Sequence, residues 1–183
     1  ATNTALTVAD NGVLTVSQNL VGADLQANTL VDVDTLTIGK GAQLTAGITQ
    51  DAVAASGTAP AKPATYGDIK AGTLNVNGKL DASNSTVTVT SSGTFTGDVA
   101  STVKTLNFSR AEGADAPVTV SVGTKTAAGK LVVGNVTGIG TIFADPAFVN
   151  GVSQSHSTVA VETVSADSTV VAGQNSVVAV GFK

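Results

Sequence analysis

The chain has 183 residues, of which 42% are hydrophobic and only 12% charged, with a formal net charge of −4 and no cysteine. That length suits one domain with a sizeable core. The acidic balance and the single arginine, Arg110, argue against a nucleic-acid surface, which needs clustered Lys and Arg, and the missing thiols exclude a disulfide scaffold or a thiolate metal site.

Globular chains carry about 25% charged residues, and here Thr, Ser, Asn and Gly stand where Lys and Glu would. Thr is β-branched and packs on a pleated surface, whereas exposed helix faces are usually rich in Lys and Glu. An all-β chain is therefore expected. Aromatics make up 3%, which leaves Val, Leu, Ile and Ala to fill a narrow interior. No apolar run approaches the roughly 20 residues of a membrane helix, and no basic stretch followed by an apolar one opens the chain. The absence of Met at position 1 raises the expectation of a processed chain or an excised piece.

In chain order, Leu6-Thr7-Val8 is followed eight residues later by Leu14-Thr15-Val16, with Asn11-Gly12 between them. Leu36-Thr37-Ile38 is followed at the same distance by Leu44-Thr45 across Gly41. Residues 73–96 hold two more copies, with apolar positions Leu74, Val76, Leu80, Val87, Val89 and Phe95 and expected turns at Asn77-Gly78 and Ser92-Gly93. Strict alternation over short runs bounded by Gly and Asn is a strand pattern with one buried face. Each copy alone suits a hairpin, since Asn-Gly fits a type I′ turn. Isolated hairpins are marginal, however, whereas short strands stacked as rungs bury one continuous apolar column.

Residues 45–72 lose the alternation and hold Pro60, Pro63 and the only tyrosine, Tyr66, so residues 50–67 are expected to leave the stack as a surface excursion. The pattern resumes at Val103, Leu106 and Phe108, then Val118-Thr119-Val120 and Leu131-Val132-Val133, with residues 110–117 as another surface corner. From Ile139 the texture changes: Asp145-Pro146 favours a turn, a polar turn follows at residues 153–157, and the chain ends on alternations at Val159, Val161 and Val164 and at Val170, Val177 and Val180. We expect a repeat stack over residues 1–138 and strands over 139–183 that continue or cap it.

The copies ALTVADNGVLTV, TLTIGKGAQLT and TLNVNGKLDASNSTVTVTSSGTFTGDV resemble passenger repeats of Gram-negative type V autotransporters. The stretches IFADPAFVNGVSQSHSTVAV and VVAGQNSVVAVG are similar to segments near the passenger's C-terminal end in some large autotransporter adhesins. The resemblance covers most of the chain outside residues 50–67. It implies a right-handed parallel β-helix, a solenoid exported through the outer membrane to the cell surface. Its implied role is adhesion or cell–cell self-association, with a host or bacterial surface, a glycan, a protein or another copy as partner. A β-helical carbohydrate-active enzyme, lyase or hydrolase, and a phage or surface-layer building block are the alternatives.

Chemistry-bearing residues are sparse. His156 is the only histidine, and no Gly-x-Ser-x-Gly elbow accompanies it. The Gly-Asp-Ser-Gly motif of autotransporter serine proteases is approached only at Gly67-Asp68 and Gly97-Asp98, both without the serine. Asp32 and Asp34, two apart on one expected strand, share a face, but two carboxylates are too few for a Ca²⁺ site. They are read as solubilising an exposed face beside buried Val31 and Val33. Glu112 and Glu162 are the only glutamates, a poor supply for glycoside hydrolysis, and Asp10, Asp24, Asp81 and Asp98 suit turns. No catalytic, cofactor or metal residue is assigned. The remaining candidate is the surface: outward Thr7, Thr15, Thr37, Thr86, Thr88 and Thr90, with Asn75, Asn77 and Asn84, are expected to form polar ladders able to meet a matching surface.

Overall fold

The computed structural model describes residues 4–16, 21–22, 29–144, 156–173 and 176–181. Among them the chain is all-β. The strands are β1 (Ala5–Val8), β2 (Val13–Val16), β3 (Val21–Gly22), β4 (Thr29–Ile38), β5 (Gln43–Ala46), β6 (Ile48–Gln50), β7 (Thr65–Tyr66) and β8 (Asp68–Val76). They continue as β9 (Lys79–Phe95), β10 (Ser101–Phe108), β11 (Val118–Val122), β12 (Lys130–Gly138), β13 (Gly140–Ala144), β14 (Ser157–Val164), β15 (Ser168–Ala172) and β16 (Ser176–Val180). No helix among the described residues is long and apolar enough to cross a membrane.

Fourteen strands form one sheet in which every pairing is parallel. Neighbouring copies in sequence do not pair as hairpins. β1 pairs with β4, aligning Leu6 with Leu36, and β2 pairs with β5, aligning Leu14 with Leu44. Asn11, at φ 59°, and Gly12 therefore lead the chain from one row of pairings to another instead of folding it back.

Three such rows exist. The first aligns Leu6, Leu36, Leu74, Gly93, Val120, Ile142 and Val170. The second aligns Leu14, Leu44 and Leu80 and, two residues further along, Ala82, Val103, Val133, Val161 and Val180. The third aligns Val31, Ile69, Val87, Leu106, Val136 and Val164. From Thr29 onward the chain visits third, first and second rows in that cyclic order, with one excursion between β5 and β8.

The long strands cross from row to row at slips in the alternation. Buried Val33 and Leu36, Ala71 and Leu74, Val103 and Leu106, and Val133 and Val136 are each three apart instead of two. Ladder register shifts accompany the slips at Ala71/Thr73 and Val103/Thr105, as β-bulges do. Close stacking at these bends requires glycine: a Cβ on Gly134 would lie 2.5 Å from the Lys104 carbonyl oxygen.

The expected apolar column is present. Leu74, Val76, Leu80, Val87 and Val89 are fully buried and Phe95 is 1% exposed, and they belong to one continuous core with Leu36, Ile38, Leu44, Leu106, Leu131 and Ile142. Burying each such side chain stabilises by about 1.5–3 kcal/mol. Two expectations are corrected. Ser92-Gly93 is not a turn: it lies inside β9, where Gly93 occupies an inward position against Val120, whose Cγ2 would stand 3.0 Å from an added Cβ. Val177 points outward and is 56% exposed, because its register partner is Thr158, and the inward residue of β16 is Val178 beside Val159. Val180 is in register with buried Val161 yet 59% exposed, since it lies in the last strand of its row. The turns expected at Asp145-Pro146 and through residues 153–155, and Asp24, lie outside the described residues.

The excursion holds an antiparallel ladder: β6 pairs with β7, Val53 with Lys62 and Ser56 with Ala59, and residues 51–63 are exposed throughout. Residues 109–117 likewise form a surface corner between the third row and β11, with Ala114 alone half-buried.

Two buried serines serve the backbone. The Leu80 N–H donates to Ser101 Oγ at 3.0 Å and the Gly129 N–H to Ser157 Oγ at 3.2 Å, and both serines open strands of the second row. Ser101→Ala is expected to destabilise the chain by about 1–3 kcal/mol, because it leaves a buried N–H unpaired; urea unfolding of the variant checks this. Ser85 Oγ, by contrast, is buried with no hydrogen-bond partner among the described residues.

Candidate functional site

Three of the aspartates are occupied in stitching separate parts of the chain together. Asp34 Oδ2 accepts the Thr4 N–H at 2.8 Å, Asp10 Oδ1 accepts the Lys40 N–H at 2.9 Å and Asp68 Oδ1 accepts the Thr86 N–H at 2.9 Å. Asp81 Oδ1 accepts the Ser83 hydroxyl at 2.9 Å. The first three carboxylates accept a backbone N–H from a different part of the chain, whereas Asp81 bonds within its own strand. Asp98 sits exposed in the bend after β9. His156 is exposed just before β14, and Glu162 is exposed on the same strand at the slip between its second-row and third-row halves.

Asp32 and Asp34 do flank inward Val33 on β4, as their spacing implies. Among the described residues, no group of three or more His, Cys, Asp or Glu is placed to hold a metal ion. Millimolar calcium is expected to leave the thermal midpoint unchanged relative to EDTA; a rise of several degrees would reassign the pair as ligands.

Stacked corners create two open grooves that local sequence reasoning misses. One, of about 440 Å³, runs over Asn11, Gly41, Asn77 and Gly78 and is flanked by Asp10, Lys40, Lys79 and Asp98. The other, of about 370 Å³, brings Asp32, Asp34, Lys70, Arg110 and Glu112 to one corner between the third and first rows. The Arg110 guanidinium donates to the Asp115 carbonyl at 3.3 Å, which orders the surface corner above the groove. Only the parallel register could have signalled this gathering, since Asp32 and Lys70 are aligned partners in β4 and β8.

The outward ladders separate into distinct faces. Thr7, Thr37 and Asn75 share one register line on the first row. Thr15 belongs to the second row, Thr86 and Thr88 to the third, Thr90 to the second groove, and Asn77 and Asn84 to exposed corners. Sequence reasoning missed most of the first-row face. Thr35, Thr73, Ser92, Thr119, Thr141 and Thr169 form one outward line, and Thr37, Asn75, Thr94 and Ser121 form the adjacent one. The signal was a Thr/Ser-apolar-Thr/Ser triplet, hidden by the unequal spacing of its copies.

On the third row, threonine hydroxyls bond to asparagine side chains. Asn107 Nδ2 donates to Thr88 Oγ1 at 3.5 Å, Thr137 Oγ1 donates to Asn107 Oδ1 at 3.0 Å and Thr163 Oγ1 donates to Asn135 Oδ1. These bonds between neighbouring strands contribute to their cohesion. Compared with known proteins, the chain matches no family model, no curated sequence and no solved structure, so what its faces and grooves do must be read from their own chemistry.

Proposed function

We propose that the chain is a right-handed parallel β-helix that acts by presenting its surface, as a non-enzymatic adhesive or self-associating passenger segment of the autotransporter type displayed on a Gram-negative cell. The observation that carries this reading is the cyclic order in which the chain visits three parallel rows. A chain that returns to the same row one strand further on advances about 4.8 Å each time. Crossovers between parallel strands are right-handed in about 98% of cases. Such a rod is stiff and gives long, weakly charged faces to a partner, where many shallow contacts add up. The dispersal of His156, Glu162 and the backbone-bonded aspartates favours contact over catalysis.

Displayed between an export signal and an outer-membrane barrel, the chain is expected to increase cell aggregation or surface attachment. Unchanged sedimentation and unchanged attachment would sink the adhesive reading. The groove holding Asp32, Asp34, Glu112, Lys70 and Arg110 is the one feature favouring a carbohydrate-active enzyme, since it combines carboxylates with bases in an open cleft. Release of reducing or unsaturated ends from a glycan panel, abolished by Glu112→Gln, would transfer the assignment to that reading.

A further inference from the structure

The first-row face differs from the other two in two respects that bear on what it can bind. Its two outward lines, Thr35 to Thr141 and Thr37 to Ser121, contain no charged residue, whereas Lys79 and Asp81 lie on the second row and Asp32 and Lys70 on the third. Its hydroxyls have no side-chain hydrogen-bond partner among the described residues, unlike the cross-bonded Thr and Asn of the third row. The residues between the two lines, Leu36, Leu74, Val120 and Ile142, are fully buried, so this face, like the other two, is anchored to the core.

The register turns these residues into a grid. Aligned positions repeat about every 4.8 Å across the strands, and positions two apart repeat about every 6.6 Å along them. Each Thr node combines a hydroxyl that both donates and accepts with a methyl group. The methyl gains by shedding liquid water, while the β-branch holds χ1 in few rotamers. The surface that complements a neutral, rigid grid of donors and acceptors is a neutral lattice of donors and acceptors with repeats of the same order in two directions. Ice is such a lattice. We propose that the first-row face binds ice, with Thr73, Ser92, Thr94 and Thr119 at its centre.

Charge complementarity selects this occupant. A Lys or Asp at any node would keep its own liquid hydration shell and prevent registry with a neutral lattice, and none is present across these lines. A saccharide surface would be met by stacking on aromatic rings, and the lines hold no ring before Phe143, at the far end. The inference stands on the pairing register and the chemistry of the side chains it aligns, and is independent of the export route.

The test is ice-affinity partitioning of the purified chain from a slowly freezing solution, with thermal hysteresis measured in parallel. The wild-type chain is expected to enter the ice while a non-binding control protein stays in the liquid. Thr94→Tyr and Thr119→Tyr, which place a bulky ring on the grid, are expected to fall to the control level with unchanged thermal melting. Thr94→Val keeps the shape and the β-branch and removes only the hydroxyl; it is expected to partition less than wild type and serves if a tyrosine variant unfolds. Thr105→Tyr, on the third row, is expected to partition as wild type. Exclusion of the wild-type chain from ice overturns the inference, as does an equal loss in Thr105→Tyr. Exclusion from ice with retention on an insoluble crystalline polysaccharide also overturns it and reassigns the face to a glycan.

Discussion

Replacing Leu74 by aspartate is expected to cost more than about 3 kcal/mol, a large share of the roughly 5–15 kcal/mol that holds a native chain folded. Leu74 is fully buried, aligned with Leu36 on one side and Gly93 on the other. Gly93 contributes no side chain, so Leu74 and Val120 fill the space on either side of it. An aspartate there loses the apolar contacts, leaves a cavity beside the glycine and meets no buried cation among the described residues. Thermal and urea unfolding read the effect directly. A variant that melts with wild type would show that the column contributes little, and the three-row arrangement would then need another source of stability.

Gly138→Val is expected to be comparably damaging, at about 3 kcal/mol when the two causes are added. Gly138 has φ +81°, a region in which a β-branched residue is strained by about 1–2 kcal/mol. It is also the aligned partner of Phe108, and a Cβ would stand 2.0 Å from the Phe108 carbonyl oxygen. Backbone must move to admit it, and that movement spreads along both paired strands. Gly113→Val separates the two causes: it has φ +79° but nothing within 4 Å of the added Cβ. It is expected to lose only the conformational part, about 1–2 kcal/mol. Equal losses at the two sites, measured by urea unfolding, would remove the close-approach argument.

The strands were legible in the sequence because alternation is a local signal. Leu6, Val8, Leu36, Ile38, Leu74 and Val76 each announce an inward face within three residues, and Pro60 and Pro63 mark where the ladder stops. The errors came where a local signal has two meanings. Ser92-Gly93 has the composition of a turn, yet glycine also serves as an inward residue where a neighbour, here Val120, has claimed the volume. Val177 and Val178 are indistinguishable by hydrophobicity, and only pairing with Val159 selects Val178 as the inward one.

Composition and period by themselves determined that this chain is all-β, that one face of its short strands is apolar, and that residues 50–67 leave the pattern. Those properties depend on residues two apart and on which side chains suit a pleat. The tertiary structure decided which strands are partners. Parallel neighbours here are separated by 10 to 39 positions, as Val21 and Val31 or Thr29 and Asp68 illustrate, and that separation varies from pair to pair. No period in the sequence reports it, because loop length between rows is set by surface corners that bury nothing. The alignment of Thr35, Thr73, Ser92 and Thr119 on one uncharged face, and of Asp32, Lys70, Arg110 and Glu112 at one corner, exists only once those partners are chosen.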